Sequence, residues 1–173
     1  KDNGYGGYRI GLSTTIRASQ RLSTSINIAQ HLRLTPQQWV GIVSDDLGEH
    51  RIYGKAKQLT DEVTLRLSYA FSPDLSFQTY LQPFRANVEY SEFVELAAPM
   101  TRQYVPFNYS DNKNFIMDNT IGTFVMRWEY LPGSILYLVY NLNAQNYFSA
   151  SSDSWSPSRS NTLFIKLNYW FQA

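Results

Sequence analysis

The acid–histidine grouping at 45–50 is the first place in this sequence to look for catalysis. His50 follows Asp45 and Asp46, and a carboxylate beside an imidazole is a pairing that hydrolases use for general-base chemistry. The same residues form the pattern Asp-Asp-Leu-Gly, which is typical of a polar turn exposed to water. We therefore predict a turn here and keep a hydrolase site that depends on His50 as an alternative.

The second histidine, His31, shares an alternating segment with Ser25 and Asn27. These are residue types of a lipase site, in which the hydroxyl and the imidazole must come within hydrogen-bond reach. Ser25 and His31 are six positions apart, and on one strand that spacing separates them by roughly 20 Å. They cannot act together as nucleophile and base, and the sequence predicts no catalytic residue.

Composition narrows the function further. The chain has 173 residues, no cysteine and two histidines, which excludes thiolate sites and makes a transition-metal site unexpected. The 15 lysines and arginines are nearly balanced by 14 acids, without the basic excess of a dedicated nucleic-acid binder. We expect no cofactor, no metal and no nucleic-acid partner.

A two-residue alternation of apolar and polar side chains predicts the elements that position these residues. We predict one all-β domain over residues 1–173, with eight to nine strands depending on whether 51–58 forms one. Pro36 is expected to end the second strand. Long polar outer loops are expected at about 84–119 and 143–161. The predicted strands are 8–18, 22–34, 39–44, 51–58, 63–71, 75–82, 123–130, 135–142 and 163–171.

Pairs of aromatic residues end three of these strands on the apolar face. Each of the three runs into a short turn or to the end of the chain, so the aromatic ends should lie at one level of an antiparallel sheet. A membrane–water interface selects such a belt, whereas a sandwich core does not. The predicted belt consists of Tyr69, Phe71, Trp128, Tyr130, Tyr169 and Phe171.

Charged residues occupy the opposite face of the same strands. Strands of about ten residues can cross a bilayer, and a water-bearing lumen accommodates charges that lipid would not. We predict a polar lumen network of Arg66, Arg127, Glu129 and Lys166, in which Arg127 and Glu129 pair with Arg66 or Lys166. The expected fold is an antiparallel transmembrane β-barrel. The alternative is a soluble sugar-binding β-sandwich whose polar face meets water.

Three segments together resemble a family of uncharacterised outer-membrane barrel domains. They are RLSYAFSPDLSFQTYLQPF at 66–84, RWEYLPGS at 127–134 and NTLFIKLNYWF at 161–171. Members of that family are Gram-negative proteins with an N-terminal carbohydrate-binding domain, similar to the family-nine type, followed by a large C-terminal barrel. The resemblance implies that this chain is the C-terminal part of a larger barrel.

The resemblance also implies a location in the bacterial outer membrane. The expected role is transport, anchoring or assembly, linked to carbohydrate binding in the full-length protein. Expected partners are outer-membrane lipid, the barrel-assembly machinery during insertion, and other outer-membrane proteins or glycans. The resemblance brings no catalytic residues, so the alternative of a barrel hydrolase, a protease or a lipase, depends on His31 and His50 alone.

Overall fold

The computed structural model describes residues 6–46, 48–98 and 100–171, and every regular element among them is a β-strand. The prediction of an all-β chain is confirmed for these residues. They include no helix long and apolar enough to span a membrane. The strands are β1 (Gly6–Arg17), β2 (Leu22–Asp45), β3 (Gly48–Ala70), β4 (Leu75–Leu96), β5 (Tyr104–Pro106), β6 (Phe115–Leu131), β7 (Ser134–Ser149) and β8 (Ser154–Asn168).

The strands form one antiparallel sheet in the order β1-β2-β3-β4-β6-β7-β8, and the short β5 pairs with the end of β4. Within the described residues, β1 pairs only with β2, and β8 only with β7. The sheet is therefore open, and the closed barrel expected from the sequence is not formed by these strands. The reason is directional. The seven long strands alternate in direction, so β1 and β8 point the same way and cannot pair antiparallel.

The strands are fewer and longer than the alternation predicted. The segments 22–34 and 39–44 form the single strand β2, and 51–58 and 63–71 form β3. Pro36 does not end β2, because the register shifts between Thr35 and Gln38 and so places the proline in a bulge. The count of eight falls within the predicted eight to nine only because it includes the short β5, which was not predicted; the seven long strands divide the chain differently.

The two predicted loops are wrong over most of their length. In place of a loop at 84–119, β4 continues to Leu96 and β6 begins at Phe115. In place of a loop at 143–161, β7 and β8 continue to a tight turn at 150–153. On β7 and β8 the period-two signal fades because both faces of the strand ends carry polar side chains. On β4 the alternation continues but changes face: Ala86 and Val88 pair with Thr60 and Gln58, on the face that carries Arg66 lower in the sheet. The remaining connection, 97–114, contains β5.

Buried apolar side chains are few and lie away from the short turns, whereas the buried polar residue Ser134 lies at the β6–β7 turn. Ile52 is completely buried, and four other apolar side chains are nearly so: Ala29, Ala56, Ala86 and Val88. The connection 97–114, here called the cover segment, folds back onto β3 and β4 near Ile52, since β5 pairs with 94–96 and the Phe107 N–H donates to the Phe93 carbonyl at 3.0 Å. The core therefore belongs to β2–β4 and their cover.

Candidate functional site

Strand register divides the sheet into two chemically different faces. Residues directly opposite in antiparallel strands point to the same side, so each register row can be followed across the sheet. One row on the apolar face contains Leu22, Tyr69, Phe77, Met126, Leu138 and Ile165. One row on the polar face contains Ser25, Arg66, Tyr80, Thr123, Asn141 and Thr162.

The apolar face carries a band of limited height. Along β3 and the residue after it, the band runs from Val63 to Phe71, which is a length of about 26 Å along the chain at roughly 3.3 Å per residue. Above Val63 the next residue on this face is Asp61, in a polar row with Gln30, Arg85 and Asp118. Asp61 accepts a hydrogen bond from Gln30 at 2.8 Å, and Arg85 forms a salt bridge with Asp118 at 3.3 Å. The band is therefore bounded by paired polar groups.

The band crosses the sheet at an angle to the register rows. Its five positions run through 63–71 along β3 and the residue after it, 122–130 along β6, and 163–171 along β8 and the three residues after it. Compared with the register rows, the band is displaced toward the short-turn edge by two residues from β3 to β6, and by two more from β6 to β8. Four residues correspond to about 13 Å, and four strand spacings to about 19 Å. If the band is taken as level, the strands are therefore inclined by about 35° from the direction perpendicular to it.

All six predicted belt residues lie at the short-turn edge of the sheet. They form three ring pairs: Tyr69 with Phe71, Trp128 with Tyr130, and Tyr169 with Phe171, whose centroids are 4.7, 6.1 and 6.3 Å apart. They do not lie in one row, as the sequence reading assumed, because each pair is displaced with the band. Phe71, Trp128, Tyr169 and Phe171 are exposed.

Exposure of neighbouring residues indicates which way the sheet curves. On β2, Ala29 on the polar face is 3% exposed, whereas Ile28 on the apolar face is 53% exposed. The same contrast separates Glu62, whose side chain is 18% exposed, from Val63 at 37%. Side chains converge on the concave side of a curved sheet and diverge on the convex side. The polar face is therefore the inner face, and the apolar band lies on the outer one.

The predicted polar network is only partly formed. Arg127 pairs with Glu129 on its own strand at 2.7 Å, and Glu129 also accepts a hydrogen bond from the Gly133 N–H at 3.0 Å. Arg66 lies 4.8 Å from the ring centroid of Tyr80. The predicted pairing of Arg127 and Glu129 with Arg66 or Lys166 is wrong. Arg127 instead pairs with Glu129, whose carboxylate lies two residues further along the same strand.

His50 is joined to two carboxylates. Its Nε2 lies 3.0 Å from Asp45 and its Nδ1 contacts Glu95, while the ring of Phe107 is 5.2 Å away. The hydrogen bonds to Glu95 and Asp45 raise the pKa of His50 above its ordinary value. Both ring nitrogens face carboxylates, so neither is directed at a hydroxyl nucleophile. Leu47, in the predicted turn, lies outside the described residues.

His31 also has a distant acidic partner. Its Nε2 lies 3.2 Å from Glu62, and Arg9 contacts the same carboxylate oxygen at 3.3 Å. Ser25 lies six register rows away on the same face, as the spacing argument required. Sequence reasoning missed both Glu62 and Glu95, since each lies on another strand and only the register brings it to its histidine.

Aromatic residues of the upper connections pack on the sheet and on each other. In the cover segment, Tyr104 contacts Tyr53 and Tyr109 contacts Phe93, with centroids 5.5 and 4.9 Å apart. At the β7–β8 turn, Phe148 contacts Trp155 with centroids 5.2 Å apart. These rings stabilise the upper strands by packing within the chain.

The geometry defines an all-β domain with a single antiparallel sheet, an apolar outer face and a charged inner face. Over residues 1–171 the chain matches the family described as a domain of unknown function (DUF5916), and it belongs to that family. The match extends well before position 66, where the resembling segments begin. Neither the curated proteins nor the solved structures contain a match.

Proposed function

We propose that this domain forms part of the wall of an outer-membrane β-barrel, with its apolar face against lipid and its polar face toward an aqueous lumen. Its role would be transport, anchoring or assembly. The band on the outer face carries this proposal. Its length of about 26 Å along strands inclined by about 35° corresponds to a height of about 22 Å, close to the 25 Å apolar band of outer-membrane barrels, and aromatic residues lie at one border of it, as in those proteins.

The inclination of the band supports the same proposal. If the band lies level in a membrane, the strands must tilt by about 35°, which falls at the lower limit of the 35–45° found in membrane barrels. A soluble sandwich places no such constraint on where apolar residues begin and end on successive strands. It would also cover its apolar face with a second sheet, whereas Ile10, Leu12 and Ile165 are each more than half exposed.

Closure of the barrel would require an odd number of further strands between β8 and β1, because the seven long strands begin and end in the same direction. Unpaired backbone groups at an open edge cost several kcal/mol each in hydrocarbon. We propose that the rest of a longer polypeptide supplies these strands and that the barrel-assembly machinery inserts the whole. A carbohydrate-binding domain in that polypeptide, and contacts with glycans or other outer-membrane proteins, remain predictions from the resemblance.

Depth-dependent quenching tests the proposal. Single cysteines are introduced at Leu67, on the apolar face near mid-band, and at Thr64, on the polar face, in a cysteine-free form of the full native polypeptide. Each is labelled with a small fluorophore and reconstituted into vesicles containing nitroxide lipids. We expect strong quenching from Leu67→Cys and weak quenching from Thr64→Cys.

Two further outcomes would reject the proposal. Equal quenching at both positions would mean that the faces are not separated into lipid and water. A polypeptide that remains in the aqueous phase, with neither label quenched, would favour the soluble sandwich. A third cysteine in place of Ile42, in the upper part of β2, serves as a matched control that should remain unquenched in either case.

A further inference from the structure

The polar face is strongly basic, whereas the outer face is balanced in charge. Counted over the described strand residues from the short-turn edge up to the row of Lys57, the polar face carries six cations and two acids. The cations are Arg9, Arg17, Arg33, Arg66, Arg127 and Lys166, and the acids are Glu62 and Glu129. Over the same rows the apolar face carries Lys57, Arg85 and Arg159 against Asp61, Glu89 and Asp118.

Pairing does not remove this imbalance. Glu62 contacts Arg9, and Glu129 contacts Arg127, which uses both acids of the polar face. Arg17, Arg33 and Lys166 form no salt bridge within the described part of the chain, and Arg66 lies over the Tyr80 ring rather than beside a carboxylate. On the outer face, by contrast, Arg85 pairs with Asp118 and Lys57 with Glu89. Four cations of the polar face are therefore free to attract a mobile anion.

The free cations are distributed from above the band down to the short-turn edge, and two of them, Arg33 and Arg66, line open clefts. One cleft of about 510 Å³ is lined by Arg9, His31, Arg33 and Glu62, among others. A second, of about 480 Å³, lies lower on the same face and is lined by Arg66 together with serine, threonine and glutamine side chains. Hydroxyl and amide groups beside an unpaired guanidinium are suited to a carboxylate or phosphate group.

We infer that the polar face forms an anion-conducting path, whose solutes are small molecules that bear carboxylate or phosphate groups. The inference rests on the proposed barrel, because only a lumen would confine the solute to this face. Arginine and lysine side chains that line a pore select for anions by raising their local concentration. The path would run from Arg33, above the band, past Arg66, to Lys166 near the aromatic edge.

Reversal potentials test the inference. The full native polypeptide is reconstituted into phosphatidylcholine vesicles, flotation verifies insertion, and currents are measured in planar bilayers across a KCl gradient of about 0.1 to 0.01 M, where screening is weak. We expect a reversal potential whose sign indicates chloride preference. The double variant Arg33→Glu/Arg66→Glu removes the net positive charge counted above, and the chloride-to-potassium permeability ratio should fall to about one.

The matched control is Arg159→Glu, which changes the net charge of the chain by the same amount as each single reversal but lies on the outer face, above the band. It should leave the permeability ratio unchanged. Insertion without conductance, or with cation preference, would overturn the anion path and leave the barrel intact. A ratio that shifts as much with Arg159→Glu as with Arg66→Glu would also overturn it. Failure to insert would reject the barrel itself.

Discussion

Apolar side chains are buried in the upper part of β3 and exposed in its lower part. In the upper part, Ile52 is completely buried, and charges such as Lys55 and Glu92 pair at the surface at 2.7 Å. In the lower part, charge is absent from the outer face, and large apolar side chains such as Phe71 are exposed there. The upper end of β3 therefore packs as the core of a water-soluble protein does. Under our proposal, the outer face of its lower end contacts lipid.

The largest effect is expected from a cavity in the upper part. Ile52→Ala should lower the free energy of opening of the upper β2–β4 region by about 2–5 kcal/mol, because a completely buried side chain is truncated. Amide hydrogen exchange of β3 residues above Asp61 measures this. Ile42→Ala is the control, since Ile42 is 53% exposed on the same part of the sheet and should cost less than about 0.5 kcal/mol. Equal effects would mean that Ile52 does not lie in a core that excludes water.

In the lower part, charge rather than volume should be decisive. Leu67→Arg places a cation near mid-band on the outer face and should reduce folding stability in vesicles by about 2–4 kcal/mol, the cost measured at the midplane of membrane barrels. Denaturant titration with vesicles present measures it. Thr64→Arg, on the polar face between Glu62 and Arg66, should change stability by less than about 0.5 kcal/mol. Similar losses from both variants would contradict the separation of faces.

The band was predictable from sequence because it obeys one local rule. Alternation placed Val63, Leu65 and Leu67 on one face and Arg66 on the other, and register confirms this division. The stagger of the aromatic pairs was not predictable in the same way. It depends on which residues of separate strands lie opposite each other, and local periodicity contains no information on register.

The upper part was largely missed for a related reason. On β4 the alternation continues there but changes face, with Ala86 and Val88 buried on the inner face and Asn87 and Glu89 on the outer one, and the sequence reading did not follow the strand past this change. The partners that matter are far apart along the chain: Glu95 reaches His50, and Asn114 accepts a hydrogen bond from the Tyr90 N–H at 2.6 Å. Sequence reasoning identified Asp45 as a neighbour of His50 because that pair alone is local.

The smallest effect is expected from the titration of His50. Its hydrogen bonds to Glu95 and Asp45 favour the protonated ring, so the folded-state pKa lies above the ordinary 6.5. The resulting stabilisation is complete below pH 6.5 and is lost as the pH rises through the folded-state pKa. Asp45 on β2, Glu95 on β4 and Phe107 of the cover segment face the ring, so deprotonation should loosen the contact among these three elements.

Fluorine NMR of 5-fluorotryptophan at Trp39 can measure this loosening. Trp39 contacts Tyr53, which contacts Tyr104 of the cover segment, with centroids 5.3 and 5.5 Å apart. We expect the Trp39 resonance to shift or broaden as the pH rises above neutrality, and His50→Gln to abolish that dependence because glutamine does not titrate. Trp128, at the aromatic edge, should show no change in either protein. A pH response that persists in His50→Gln would assign the effect to another group and leave the histidine a purely structural link.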